Sequence, residues 1–343
     1  MKKIIHVISM QKGLGGVQQS FISYYNYAQK HSRFEQCIFS NHTISKKYGR
    51  LKNFFEIKKN FFSFLKHIVL KNSIIYFHNK LTSKKIFYLL KLLPSTNIIF
   101  HEHGTAWNVK TKKQKKIYQA NAMIARKIIV NSIATKNLLI KRFKINHKKI
   151  ILVYYGFKDP NIKKKNILKK NIKVGFIGRF DLFKGTHSFI HAANLLWNKN
   201  IVFLIAGEGY LEQDLKKLSK DNNRIKFIGT VNNSLNFIKN LDILVVPSIR
   251  EPLGIVNIEA GLCKTSVIAS KIDGIPEVIT NNHSGILIKP TKKIILDQHQ
   301  DQPPIPDFAI DPDNYKMIAP KELDPKELSN KILFLSKNKK IRA

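Results

Sequence analysis

At 343 residues the chain is long enough for two α/β domains, each with its own core, and a hydrophobic content of 43% excludes a disordered polymer. Its two cysteines, Cys37 and Cys263, exclude a disulfide framework and fit a reducing compartment, and no apolar run reaches the length of a membrane span. The net charge of +38 is unevenly held, +27 in residues 1–156 against +11 in residues 157–343, so the first half should attract anions such as phospholipid, a lipid diphosphate or nucleic acid.

The opening Met-Lys-Lys-Ile-Ile-His-Val-Ile-Ser-Met has a short apolar run broken by His6 and no small-residue cleavage site. It predicts a first β-strand over 3–9, not a leader peptide. Gly13-Leu14-Gly15-Gly16 follows, then a helical apolar pattern from Val17 to Tyr27. Strand, glycine turn and helix in succession let bare backbone approach a ligand. Further strands are expected at 34–40, 74–78, 97–101, 127–131 and 149–154, with helices between them. That alternation predicts a doubly wound parallel sheet whose ligands gather at the carboxyl ends of its strands.

Over 51–93, Phe54, Phe55, Phe61, Phe62, Phe64, Ile68 and Leu70 interleave with Lys52, Lys58, Lys59, Lys66 and Lys71. This suits an amphipathic helix, either packed on the sheet with a solvated lysine face or lying in a membrane interface. His101-Glu102-His103-Gly104-Thr105 ends the strand at 97–101. His-x-His can chelate, but the sequence identifies no third ligand, so no metal is expected there.

Residues 157–172, with Pro160 and a run of Asn and Lys, read as a linker, and a second α/β domain covers 173–343. Its first strand, 174–178, delivers Arg179 to the strand's carboxyl end, and Lys184-Gly185 precedes the next helix. A planar fork of donors and a compact cation can together neutralise a diphosphate. Strands at 201–206, 224–228, 242–246 and 266–270 follow, with turns at Gly207-Glu208-Gly209 and Gly229-Thr230-Val231.

The apolar run 241–246 leads into Pro-Ser-Ile-Arg-Glu-Pro-Leu-Gly-Ile-Val-Asn-Ile-Glu-Ala-Gly, residues 247–261. Glu251 falls in a turn, Gly254 to Gly261 reads as a short helix, and Glu259 lies more than a turn inside it. The N–H groups of Gly254 and Ile255 at the helix start suit a phosphate, and carboxylates on either side suit sugar or ribose hydroxyls. The stretch reads as a cradle for a nucleotide sugar. Residues 291–325 are acidic and Pro-rich and predict a loop, a mobile flap; within it Asp311-Pro312-Asp313 formally matches a D-x-D metal motif but reads as loop chemistry. A late helix is expected at 327–335.

Glu251-x7-Glu259 after an apolar strand, with Gly178-Arg179-x4-Lys184-Gly185 upstream, resembles family 4 of the retaining glycosyltransferases, over residues 1 to about 290. Gly274-Ile275-Pro276-Glu277 is similar to the family's G-x-P-E turn. The resemblance implies the GT-B fold: α/β, two facing Rossmann-like doubly wound parallel-sheet domains with a cleft between them. It implies Arg179 and Lys184 on the departing diphosphate, assisted by Gly254 and Ile255, with Glu259 on the ribose and Glu251 on the donor sugar. Main-chain groups of Gly229 and Val231 would hold the base. Gly15 and Gly16 would border the acceptor, Gly16 also the donor phosphate. His103 would lie near the anomeric carbon, completing a catalytic set of His103, Arg179, Lys184 and Glu251, and Glu102 is a further candidate for acceptor contact.

The activity so implied is a hexosyltransferase using a nucleotide-sugar donor, a UDP-sugar by preference, with no cofactor and no metal. The acceptor would be a glycan or lipid-linked glycan of a cell-surface polysaccharide, lipopolysaccharide or capsule. The protein would be cytoplasmic and peripheral on an anionic membrane surface. The 291–325 segment is longer than the family's, and Ala343 falls early for its last helix. Two other readings stand beside this one. A basic nucleic-acid-binding protein lacks any recognised module, so no nucleic acid is expected. A catalytically silent sugar-nucleotide-binding relative is disfavoured by the presence of Arg179, Lys184, Glu251 and Glu259 together.

Overall fold

The computed structural model describes residues 3–10, 15–44, 51–69, 73–92, 97–161, 171–294 and 306–342. The chain divides into two units, Met1–Lys158 and Asp159–Ala343.

The first unit runs β1 (Lys3–Val7), α1 (Gly16–His31), β2 (Glu35–Ser40), β3 (Phe54–Glu56), α2 (Phe61–Val69), β4 (Ser73–His78), α3 (Lys84–Leu92), β5 (Ile98–Glu102), α4 (Lys112–Ile124), β6 (Lys127–Val130), α5 (Ile133–Phe143) and β7 (Ile150–Leu152). The strands form one parallel sheet in the order β3-β2-β1-β4-β5-β6-β7. Successive residues of a strand point to opposite faces. Ile75, Phe77, Ile98 and Phe100 are fully buried on one face. Tyr76, His78 and His101 point to the other, so this end of the sheet has an apolar side and an imidazole side.

The expectation of an amphipathic helix carrying Phe54 to Lys71 is corrected in part: α2 covers Phe61–Val69 only, and the strand expected at 74–78 is present as β4. Phe54 and Phe55 belong to β3 and pair with Ile38 and Phe39. Phe55 stacks on Phe39 with ring centroids 5.2 Å apart, and Phe64 of α2 packs on the same ring at 5.3 Å. A strand of three residues has no room to display a period of two, which is why the pattern read as helix. Phe61 and Phe62 of α2 stay exposed, at 48% and 86%. Leu70 and Lys71 lie outside the described residues.

The second unit runs β8 (Ile172–Ile177), α6 (Thr186–Asn194), β9 (Ile201–Ala206), α7 (Glu212–Leu218), β10 (Ile225–Gly229), α8 (Ser234–Ile238), β11 (Ile243–Val246), α9 (Ile255–Leu262), β12 (Ser266–Ser270), β13 (Ile286–Ile288), a short antiparallel ribbon β14 (Ala309–Ile310) and β15 (Met317–Ile318), and α10 (Pro325–Lys337). Its main sheet is parallel in the order β10-β9-β8-β11-β12-β13. Val174, Phe176, Phe203, Ile243 and Val245 form the centre of its core with Phe189 of α6. The chain winds outward from β8 through β9 to β10, then returns to β11 on the other side of β8. The strand order therefore reverses between β8 and β11, the place where such sheets open a crevice at their carboxyl ends.

Within 291–325, Asp297 and Asp301 lie outside the described residues. Residues 306–324 are not a free flap. Phe308, Ala309 and Ile310 are buried, the Ile310 N–H donates to Asp273 Oδ1 at 2.6 Å, and Glu322 meets His187 at 2.5 Å. Asp311 accepts from the Asp313 N–H at 3.0 Å and from the Asn314 amide at 2.8 Å, as a turn residue does. No helix among the described residues is long and apolar enough to cross a membrane.

Candidate functional site

The reversal point of the second unit gathers most of the charged candidates. β8 ends at Ile177, and Asp181 accepts from the Lys184 N–H at 3.2 Å, closing a 3-10 turn over Leu182–Lys184. Gly185 follows with φ 65°, and a Cβ there would stand 2.0 Å from the Pro247 carbonyl oxygen. Only glycine allows the two loops to close to this distance. The Ile249 N–H donates to the Phe183 carbonyl at 2.8 Å and continues the contact. The outcome is that Lys184 Nζ lies 2.5 Å from Glu251 Oε2, with both side chains mostly buried. Arg179 is paired with Asp181 at 3.1 Å while its side chain stays 77% exposed.

Glu251 is itself held from behind. Its N–H donates to Asp273 Oδ2 at 2.7 Å, and the Gly274 N–H donates to its carbonyl at 3.2 Å. Gly274 lies so close to Pro252 that a Cβ would approach its carbonyl oxygen to 2.0 Å. Burial pushes the Asp273 carboxyl up to about 8, against the pull of its two N–H donors and of Arg250. The Arg250 guanidinium sits 4.2 Å from the centre of the Phe183 ring. Arg250 and Asp273 were not singled out in the sequence. One is a cation among many, and the other shows its role only through the ribbon it binds.

Gly254 ends the turn at φ 85°, and α9 begins at Ile255 with no side chain capping it. Its first N–H groups thus keep their partial positive charge for a ligand. Asn257 is buried in the first turn with both amide atoms unpartnered. Glu259 is buried one turn further on, accepts from the Ser234 hydroxyl at 2.7 Å, and has its carboxyl pushed up by burial. Ser234 opens α8, just after the β10 loop that carries Gly229 and Val231. Gly229 is exposed at φ 71° and Val231 half-buried. Glu251, Lys184, Gly254 and Ile255 thus share one strand end, with Arg179 tied in through Asp181. Glu259 meets Ser234, a few residues after Gly229 and Val231 in the chain.

In the first unit, Gly15 precedes α1 and Gly16 opens it; Gly13 and Leu14 lie outside the described residues. His103 is two strands away from them, beyond β4. Its Nε2 lies 3.0 Å from His78 Nδ1 and its Nδ1 2.6 Å from the Tyr155 hydroxyl. Glu102 is not available to an acceptor. It is buried on the opposite face and accepts from the Gly104 N–H, the Ala106 N–H, and the Thr105 and Tyr118 hydroxyls at 2.6, 3.2, 2.6 and 2.7 Å. A cavity of about 900 Å³ opens over the imidazole face, lined by Tyr24 and Tyr27 of α1 and by Tyr76, His78, His101 and His103. Burial lowers His101 to about 3 and holds His78 and His103 well below the ordinary histidine range, so these rings are neutral at neutral pH.

Residues 157–297 match the family model described as glycosyl transferases group 1. An uncharacterized glycosyltransferase of Methanocaldococcus jannaschii is 30% identical over 219 residues, which is 56% of this chain and 55% of that protein. The N,N'-diacetylbacillosaminyl-diphospho-undecaprenol alpha-1,3-N-acetylgalactosaminyltransferase of Campylobacter jejuni is 26% identical over 263 residues, 69% of each chain. The chain spans about half the length of the first curated relatives it matches. Among solved structures, Anabaena HepE in complex with UDP has a TM-score of 0.73 at 17% identity, covering 100% of this chain and 92% of that one. That likeness is one of fold. The expectation of a GT-B-type α/β chain with two Rossmann-like parallel sheets is borne out.

Proposed function

We propose that this chain, whose second unit matches the group 1 glycosyl transferases over residues 157–297, is a retaining glycosyltransferase of family 4. In this reading it moves a hexose from a nucleotide diphosphate sugar, preferably a UDP-sugar, to a glycan or lipid-linked acceptor of a cell-surface polysaccharide, capsule or lipopolysaccharide. The observation that carries the reading is the contact of Lys184 with Glu251 beside the uncapped start of α9. A cation, a carboxylate and free helix N–H groups at a sheet's reversal point suit a diphosphate joined to a sugar.

On donor entry the diphosphate would take Lys184 from Glu251, leaving that carboxylate for hydroxyls of the donor sugar. Arg179 and Lys184 would then offset the charge that grows on the leaving phosphate, where preorganised charge acts most strongly. The first N–H groups of α9 would add to them. Glu259 would take the ribose, and main-chain groups around Gly229 and Val231 the base. The departing phosphate would accept the acceptor's proton on the same face, which preserves the anomeric configuration. Two cations supply the counter-charge, so we assign no metal to the donor.

We place the acceptor on the first unit, near Gly15, Gly16 and His103. We keep His103 out of the reacting step, because both its ring nitrogens already have partners. A cytoplasmic protein that docks on anionic lipid fits the basic first half and the exposed Phe61 and Phe62. The diphospho-undecaprenol in the name of the Campylobacter jejuni relative supports a lipid-linked acceptor. The test is calorimetric titration with UDP, GDP and ADP in EDTA. UDP should bind, and Glu259→Ala should weaken it at least tenfold; no binding of any diphosphate would sink the donor assignment.

A further inference from the structure

The imidazole face of the first unit holds a second constellation that the donor reading does not use. The parallel register sets His78 of β4 opposite His101 of β5, and His103 projects from the same face two residues on. One nitrogen from each of the three rings lies within 4.8 Å of the other two. The sequence hides this set, because His78 joins the His-x-His pair only through strand pairing.

The hydrogen bonds around the cluster have a readable direction. The Gln36 amide nitrogen donates to Ser32 Oγ and to the Phe34 carbonyl, at 3.1 and 3.4 Å. Its oxygen therefore faces His6 and accepts from His6 Nε2 at 2.9 Å. His6 Nδ1 is then an acceptor, and His78 Nε2 donates to it at 3.2 Å. His78 Nδ1 accepts in turn from His103 Nε2 at 3.0 Å, and the Tyr155 hydroxyl donates to His103 Nδ1 at 2.6 Å. His101 is braced by the Asn131 amide and the Tyr76 hydroxyl. A single proton separates His78 Nδ1 from His103 Nε2, and the far nitrogens of these two rings are held by His6 and by Tyr155. Ligating histidines are held in this way, by a hydrogen bond on the nitrogen that does not face the ion.

We propose that His78 Nδ1, His103 Nε2 and one nitrogen of His101 bind a divalent transition-metal ion of the zinc, cobalt and nickel class, the ion replacing the proton that His78 and His103 share. The His103 proton moves from Nε2 to Nδ1 and is donated to the Tyr155 oxygen, whose own hydrogen turns away into the cavity that Tyr155 lines, so binding releases no net proton. With Zn–N bonds of about 2.0–2.1 Å, two nitrogens on a tetrahedral ion lie roughly 3.3–3.4 Å apart. The His78–His103 pair at 3.0 Å has to open by a few tenths of an ångström, roughly. The third nitrogen closes through rotation of His101, which gives up either its Asn131 or its Tyr76 partner and whose ring now stacks on His103 at 3.7 Å. Both rings are half-buried beside the 900 Å³ cavity, which gives the ion a way in and a fourth position for water or an anion. An all-nitrogen set favours these metals over magnesium or calcium. Glu102 is spent elsewhere and the surrounding half of the chain is strongly basic, so the fourth ligand is an anion when one is present.

The test is titration of the full chain with Co²⁺, followed by the visible absorption of the tetrahedral ion. One equivalent should bind, and His78→Asn and His101→Gln should each weaken it at least tenfold, with near-ultraviolet circular dichroism checking that they remain folded. His147→Gln, at an exposed position, should change nothing. Calorimetry in two buffers of different ionisation heat should give the same enthalpy, whereas surface histidines that titrate near neutrality would release protons. Absence of the tetrahedral bands, or equal binding by the two cluster variants, overturns the proposal. Should those variants fail to fold, ring-nitrogen NMR of the unaltered chain decides: zinc should shift three imidazoles and move the His103 proton to Nδ1, and an unchanged pattern overturns the site. The outcome is independent of donor binding in the second unit.

Discussion

Lys184 Nζ reaches Glu251 Oε2 at 2.5 Å across 67 residues of sequence, and nothing local to either residue requires it. The pair is assembled by Gly185 pressing on Pro247 and by the Phe183 carbonyl receiving Ile249. Lys184→Ala should lower transfer at least tenfold, which corresponds to about 1.4 kcal/mol of transition-state stabilisation. The melting temperature should fall as well, since the substitution leaves the mostly buried Glu251 carboxylate without its cation. Initial rates and a thermal melt of the same preparation check both; near-normal turnover removes Lys184 from the reaction.

Gly185→Ala should damage the protein twice over. The new methyl would meet the Pro247 carbonyl oxygen at 2.0 Å in a left-handed conformation, so the loop has to move. Stability should fall by roughly 1–3 kcal/mol, and UDP affinity should fall with it because Lys184 moves away from the diphosphate position. A urea melt and a UDP titration measure the two losses, and native affinity in a folded variant would show that the loop contact does not position the cation.

Ser234→Ala tests whether the hydroxyl that meets Glu259 positions it. Loss of the 2.7 Å bond should weaken UDP severalfold, less than Glu259→Ala does, and should leave the pH at which binding fails shifted upward. The reason is that the Ser234 bond opposes the rise that burial imposes on the Glu259 carboxyl. UDP titrations across mildly acidic pH would detect it; an identical profile would mean the bond is incidental.

Asp273 predicts a pH dependence of stability. Burial raises its carboxyl from 3.8 to about 8, so the folded chain keeps a proton that the unfolded chain has lost. That contribution is complete below about 4 and is lost as pH rises through about 8. Urea melts from pH 5 to 9 should show wild-type stability falling toward alkaline pH, and Asp273→Asn should flatten that slope while lowering the neutral value by about 1–3 kcal/mol for the N–H it no longer satisfies. Parallel slopes in the two proteins would count against the raised carboxyl.

Phe62→Asp should reduce sedimentation with anionic vesicles severalfold without changing the melting temperature, since the ring is 86% exposed. Added salt should weaken what remains. Equal sedimentation of the two proteins at low salt would exclude α2 as the docking helix.

Much of the architecture was legible in the residues. The runs at 201–206, 243–246 and 267–269 are apolar throughout, as strands buried on both faces must be, and they lie in the strands expected at 201–206, 242–246 and 266–270. Glu251, Gly254, Ile255 and Glu259 also fall around one helix start, because sequence neighbours stay neighbours across a turn. The misses are residues whose role depends on a partner far along the chain. β3 is too short for periodicity. Ser234 finds Glu259 across 25 residues and Ile310 finds Asp273 across 37, and neither contact leaves a trace in local composition. His78 joins His101 and His103 by register alone.

Glu102 carries a warning for anyone reading function from an alanine scan. The residue stands between two histidines at the end of a strand, where a reacting carboxylate would be sought, and its replacement would abolish activity. It accepts four hydrogen bonds that fold the 104–106 corner and anchor Tyr118, so what disappears would be soluble protein rather than chemistry. Expression yield, compared beside turnover, separates a fastener from a reagent at this position.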